Sequence, residues 1–397
     1  MPDEVDERGA RMRLACVVEP GDPAIGPLLR EFGAPAVWEQ LLRPGPDGAW
    51  RRRAAALDLR GVRVLMHRHG LRFIVPGDDE WPEQLAPLEY CEPVQGSRGV
   101  PLGLWVCGQG SLAELTRSSV ALVGSRASTA YGERLACDLA ADLAAGRPHG
   151  TPLTVVSGAA FGIDAAAHRG ALAEDGPTVA VLAGGLDTPY PKAHEALLGR
   201  IAHTGVVVSE NAPGETPSRR RFLSRNRIIA ALSLGTVIVE AALRSGARNT
   251  VTWASACGRP VMAVPGPVGS ATSATPHRLI RGGEAVLVER VEDIREQVGR
   301  FGELAPGRPP QDRLFDHLDA PERAVYEALP SRGGRDAGDV ALRSGLALPA
   351  CLAVLAHLAE QDLAERSDQG GWRIGRVQDR PVRLSAAATA PPTVPTR

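Results

Sequence analysis

Lysine is almost missing from this chain: Lys192 stands alone among 45 basic residues, and the other 44 are arginines. Aromatic residues supply only 4% of the 397, so a core must rest on Ala, Val and Leu, which the 44% hydrophobic content provides. The net charge of -1 excludes a uniformly basic protein and confines any nucleic-acid contact to a local patch. Cys16, Cys91, Cys107, Cys137, Cys257 and Cys351 form no C-x-x-C pair, which argues against a zinc ribbon or a thioredoxin-type site and fits scattered thiols in a reducing cytosol. No apolar run approaches ~18 residues, and Met1-Pro2-Asp3-Glu4 opens no apolar leader, so a cytoplasmic protein without a membrane segment is expected. Three further absences narrow the chemistry. G-x-x-x-x-G-K-[ST] does not occur, G-x-G-x-x-G does not follow Val123, and H-E-x-x-H is lacking, so neither a nucleotide cofactor nor a metal is expected.

What the chain does have is Arg219-Arg220-Arg221-Phe222-Leu223-Ser224-Arg225-Asn226-Arg227, five arginines in nine positions with no acid among them. On a helix Arg219, Phe222 and Arg225 share one face, placing an aromatic ring beside guanidinium groups. Such a face suits a single-stranded nucleic acid, because the charges follow phosphates while the ring stacks on a base. The following Ile228, Ile229 and Leu232 predict that the segment is anchored inward while its arginines stay outside.

Around this stretch the pattern is regular. Apolar runs at 120–123, 153–156, 179–182, 206–208, 237–239, 261–264 and 285–288 alternate with helical stretches such as 131–145 and 164–173. That alternation predicts an α/β domain, a Rossmann-like doubly wound and mostly parallel sheet over residues 71–300, with runs at 71–75 and 104–107 extending it. Residues 1 to about 11 read as frayed, and 12–70 read as a small helical domain, either a nucleic-acid-contacting helix-hairpin-helix or a structural bundle. A Gly/Pro-rich linker is expected at 301–318. Three short helices and a hairpin over 319–376 give the order of a winged helix, whose nine acids against seven arginines do not indicate strong DNA binding. The Pro- and Ala-rich residues 377–397 read as a disordered tail.

In a doubly wound sheet, ligands meet the carboxyl ends of the strands. Here those ends carry Gly124-Ser125-Arg126, Ser157-Gly158, Gly184-Gly185, Ser209-Glu210 and Pro265-Gly266, whose turns could offer backbone N–H groups to phosphate. Lys192, after Tyr190-Pro191, reads as a further phosphate contact. Asp164 and His168, four apart on a helix, could be an acid–base pair, but a helix cap and a local hydrogen bond explain them better. Glu240, at a strand end, is either catalytic or the partner of an arginine.

Taken together, Val123-Gly124-Ser125-Arg126, Ser157-Gly158 through Gly162-Ile163-Asp164 to His168, Gly184-Gly185-Leu186-Asp187 with Tyr190-Pro191, Phe222 with Arg225-Asn226-Arg227, and Glu240-Ala241 with Ser245-Gly246 resemble the DNA-processing protein A (DprA/Smf) family. That resemblance implies a non-enzymatic recombination mediator of natural transformation, which binds incoming single-stranded DNA, forms a homodimer and helps load the RecA recombinase. Carried over by motif, the DNA edge would comprise Gly124, Ser125, Arg126, Ser157, Gly158, Gly184, Gly185, Lys192, Arg219, Phe222, Arg225, Asn226, Arg227, Ser245 and Gly246. In it Phe222 would stack on a base, Ser125 and Arg126 would meet phosphate, and Asn226 would hold a turn. The competing reading is a nucleoside-monophosphate phosphoribohydrolase on the same fold. Its Gly-Thr-x-x-Glu segment is one residue longer here, at Gly235-Thr236-Val237-Ile238-Val239-Glu240, and no Pro-Gly-Gly precedes it.

Overall fold

The structure, a computed structural model, describes residues 6–147, 150–299, 318–367 and 370–375. It comprises two compact units, Met1–Pro306 and Gly307–Arg397.

The larger unit is built on nine strands: β1 (Arg72–Ile74), β2 (Leu104–Cys107), β3 (Ser119–Val123), β4 (Thr154–Ser157), β5 (Thr178–Leu182), β6 (Val206–Ser209), β7 (Thr236–Ile238), β8 (Val261–Ala263) and β9 (Val286–Leu287). They lie in the order β1-β2-β6-β5-β4-β3-β7-β8-β9. From β6 to β9 every pairing is parallel, and β2 alone runs against the rest, pairing antiparallel with both β1 and β6. The sequence dictates this burial directly, since β3 to β8 are buried at every residue and read as short runs of Val, Ala, Leu, Ile and Met with Ser or Thr at some ends. Alternate side chains serve opposite faces. Ala121 and Val123 pack with Ile228, Ile229 and Trp253, whereas Val120 and Leu122 pack with Leu139, Leu143 and Ile163.

Helices Glu7–Val17, Ile25–Leu42, Ala49–Ala55 and Leu59–Arg68 precede the sheet. Their apolar side chains join Phe73, Val75 and Trp105 in one cluster, with the Phe73 and Trp105 rings 4.6 Å apart. The expectation of fraying to about residue 11 is corrected here. Asp6 accepts a bond from the Gly9 amide at 2.7 Å, and Arg11 reaches both Glu7 and the Leu102 carbonyl, so the helix is fixed from Glu7.

In the smaller unit, helices Ala320–Ala328, Ala337–Ser344 and Leu348–Glu360 are followed by an antiparallel hairpin, Ala364–Arg366 with Trp372–Ile374. Leu318, Val325, Val340, Cys351, Leu355 and Leu358 form its core. Of the linker expected at 301–318, all but Leu318 lies outside the described residues, as does the tail at 377–397. Among those described, no single helix is long and apolar enough to cross a membrane.

His168 joins the helix Ile163–Ala173 to β5. Thr178 Oγ1 donates to the Val155 carbonyl at 2.7 Å, so the His168 Nδ1 hydrogen must be the one shared with Thr178 at 2.7 Å. Nε2 is buried without a partner, and a second proton there would have no acceptor. Burial, then the charges of His194 and Arg225, pull the imidazole down to about 3. The unfolded chain therefore takes up a proton that the folded chain refuses, and this stability is complete above the ordinary histidine range and lost as pH falls below it. Between about pH 7 and pH 5 the loss is expected to be about 2 kcal/mol. Chemical denaturation of wild type and His168→Asn across that window checks it, and the variant's curve should be flatter by that amount. The raised carboxyl of Asp164 acts with the opposite sign and cancels in the comparison.

Candidate nucleic-acid interface

The strand order reverses between β3 and β7, the place where a doubly wound sheet usually opens a crevice for its ligand. Here the protein fills that place itself. Glu240 Oε2 accepts from the Thr129 amide at 2.8 Å, while Oε1 accepts from the hydroxyls of Thr129 at 2.7 Å and Thr272 at 3.1 Å. Below it the Ser125 amide donates to the Glu240 carbonyl at 2.6 Å. Glu240 thus takes its hydrogen bonds from Thr129 and Thr272 rather than from an arginine.

Beside the closed crevice runs the helix Arg219–Leu232, opened by Ser218, whose hydroxyl accepts from the Arg221 amide at 3.3 Å. Its arginines divide by depth. Arg219 and Arg220 are exposed, whereas Arg221, Arg225 and Arg227 are buried. Arg221 is held by Glu19 of the first helical segment, at 3.1 Å from both Nε and Nη2, and by Glu215. Burial alone would raise the Glu19 carboxyl, but hydrogen bonds from Arg221 and Arg53 hold it below its ordinary range. Arg225 passes beneath the β4 turn and donates to the carbonyls of Gly158, at 2.8 Å, and Val181. A Cβ on Gly158 would overlap that guanidinium, so only glycine fits there. Asp164, buried and bonded to the backbone at Ala160 and Gly124, faces Arg225. Burial pulls Arg225 down to about 10, Asp164 opposes the change, and Arg126 adds to it.

The half-buried ring of Phe222 marks where this helix meets solvent. Arg126, exposed on the β3 turn, lies with its guanidinium carbon 4.4 Å from the ring centroid, and Arg225 lies 5.9 Å away. Tyr190, 46% exposed, closes a third side at 5.7 Å between centroids. Lys192, two residues on, is exposed as well. The result is an aromatic and cationic ledge on the carboxyl edge of the sheet, able to stack on a flat ring and to meet negative charge.

Residues 72–299 match the family described as DNA recombination-mediator protein A. The chain belongs to that family. Over 317 residues, 79% of each chain, it is 51% identical to a Mycobacterium tuberculosis protein that carries the name DNA processing protein DprA. With the Escherichia coli protein Smf it shares 38% identity over 64% of its own length and 60% of the other's. The crystal structure of DNA processing protein A from Streptococcus pneumoniae aligns with a TM-score of 0.61 at 28% identity, covering 75% of this chain and all of that one. The recombination-mediator match begins at β1 and ends at Gly299, just past the helix Val291–Val298, so it spans the whole sheet.

Within this recombination-mediator domain the expected site residues separate into three groups. Arg126, Phe222 and Arg225 come together, and Lys192 and Arg219 are exposed. Asn226 donates to the Gly246 carbonyl at 3.4 Å and to Asn249 at 3.2 Å. Ser245 caps that same turn by accepting from the Ala247 amide at 3.3 Å, and Gly246 is exposed. The third group faces inward. Arg227 has no exposed surface, and its Nη2 donates to both oxygens of Glu210 at 2.5 Å. Ser157 is fully buried, donating to the Leu122 carbonyl at 2.6 Å. The Gly185 amide donates to the Glu215 carbonyl, the Gly184 carbonyl accepts from Ser209, and the Ser125 hydroxyl accepts from the Ala127 amide. The turn amides of Ser125 and Gly185, read as anion donors, are therefore already used. Gly124 is wedged against Ile163 and the Glu240 carbonyl, where a Cβ would not fit. Tyr190 entered the sequence reading as part of the Tyr190-Pro191 motif and as context for Lys192 but not as a site residue, and Phe161, 49% exposed and 4.8 Å from the His194 ring, was not singled out.

Proposed function

We propose that this ledge binds single-stranded DNA, with Phe222 stacking on a base while Arg126, Lys192 and Arg219 neutralise phosphates. The observation that carries the reading is the exposed Arg126 guanidinium 4.4 Å from a ring that Tyr190 also borders. Stacking without hydrogen-bond readout accepts any base, which suits a mediator that must hold DNA of arbitrary sequence. On this reading the protein is a cytoplasmic, non-enzymatic mediator that acts as a homodimer and passes its DNA to RecA. The three helices and hairpin at 319–375 are a winged helix that recognises a partner protein, since its acids outnumber its arginines. The closed crevice supports the absence of catalysis, because the Glu240 carboxylate that a phosphoribohydrolase would need is spent on Thr129 and Thr272.

Fluorescence anisotropy of an oligothymidine and of a duplex across a salt series tests the binding. Single strands should bind more tightly, with a log–log slope of about -0.7 per phosphate contact. Phe222→Ala is expected to cost ~1–3 kcal/mol with little change in slope, and Arg126→Ala to flatten the slope by about one contact. Equal affinity of wild type and both variants for single strands would move the site elsewhere, and release of free base from a nucleotide would establish the hydrolase instead.

A further inference from the structure

Away from the ledge, two cysteines 166 residues apart in sequence lie side by side, Cys91 Sγ and Cys257 Sγ being 3.6 Å apart. Cys91 follows the short helix Glu83–Glu89, and Cys257 caps the helix Ala247–Ala256. Among the described residues no other two cysteines are in contact. Cys91 is buried, with its sulfur 3.2 Å from the carbonyls of both Pro87 and Ala256, so it is fixed between the two segments. Cys257 is partly exposed, in an open depression also lined by Ala86, Tyr90 and Gly258, with Tyr90 80% exposed. The same two segments are tied a second time at their other ends, where Asn249 Nδ2 donates to Gln95 Oε1 at 3.3 Å. That second tie fixes their register and holds the sulfurs opposite each other.

We propose that Cys91 and Cys257 form a reversible disulfide when the protein meets hydrogen peroxide. Cys257, the accessible thiol, attacks a peroxide oxygen; the O–O bond breaks, one water leaves with the thiol proton, and a sulfenic acid forms. The Cys91 sulfur then displaces the sulfenic hydroxyl, which leaves with the second thiol proton as a second water. Each sulfur gives up one electron to the S–S bond's formation, and one peroxide is reduced to two waters. Burial and the neighbouring Cys91 push the Cys257 thiol up to about 12, so the reaction is slower than that of an exposed thiol. The product would cross-link the chain across the face of the sheet on which the helix Arg219–Leu232 packs, since Asn249 also holds Asn226 of that helix.

The test is exposure of the full chain to hydrogen peroxide, followed by alkylation under denaturing conditions and peptide mapping. The expected result is an intact mass lighter by two hydrogens, a Cys91–Cys257 linked peptide, and a higher midpoint of thermal unfolding that dithiothreitol reverses. Cys91→Ser and Cys257→Ser should each show no such rise. The proposal is overturned if both thiols remain alkylatable, if Cys257 proceeds to a sulfinic acid while Cys91 stays free, or if either cysteine links to a different one or to a second copy. The mapping in the wild-type chain decides this even if a variant does not fold.

Discussion

Replacing Arg227 with alanine is expected to lower the unfolding free energy of the larger unit by about 3–5 kcal/mol, because Glu210 is left buried without its partner. Arg227 is wholly buried and bonds both carboxylate oxygens at 2.5 Å. Burial already pushes the Glu210 carboxyl up, and Arg227 is what opposes it. Without the guanidinium the folded carboxyl rises further above its unfolded value, so the variant's deficit should grow as pH rises and shrink as the carboxyl protonates. Guanidinium denaturation at several pH values measures this. A double change, Arg227→Met with Glu210→Leu, should recover most of the loss, since a buried ion pair replaced by apolar groups of similar size is often neutral. A pair at the DNA surface would behave differently, with affinity falling and the unfolding midpoint unmoved.

Gly158→Ala should be nearly as damaging, for a steric reason. The added methyl would occupy the space of the Arg225 guanidinium and drive it from the carbonyls of Gly158 and Val181. Overpacking and a displaced buried charge together are expected to cost ~3 kcal/mol. Because Arg225 also borders Phe222, DNA affinity should fall with it. A double-mutant cycle with Arg225→Met identifies the cause: in that background the alanine should cost little, whereas an equal cost in both backgrounds would point to the backbone of the turn instead.

Much of this was readable from residue order. The parallel strands are short and mostly apolar, so the burial of β3 to β8 on both sides leaves a plain imprint, and each strand lies within a residue or two of its expected place. Phe222 and Arg225, three apart, fall on one face because a helix dictates it. Depth was not readable. An arginine looks the same whether it meets phosphate or a buried acid, and only the arrival of Glu210 from β6 and of Glu19 from the first helices decides between them. Glu240 was ambiguous for the same reason, its donors Thr129 and Thr272 lying 111 and 32 residues away. Tyr190 and Arg126 meet Phe222 from two other loops, a convergence that local pattern cannot encode.

Glu240, seated where the sheet would otherwise part, also bears on the size of what the protein can hold. A hollow has walls, and walls fix the length of their guest at a mononucleotide or a dinucleotide. A ledge has none. With Glu240 filling the switch point and the rings and cations set on an open rim, the proposed site leaves a polymer's ends unbounded, so that a strand can enter from its middle and run past the molecule on both sides.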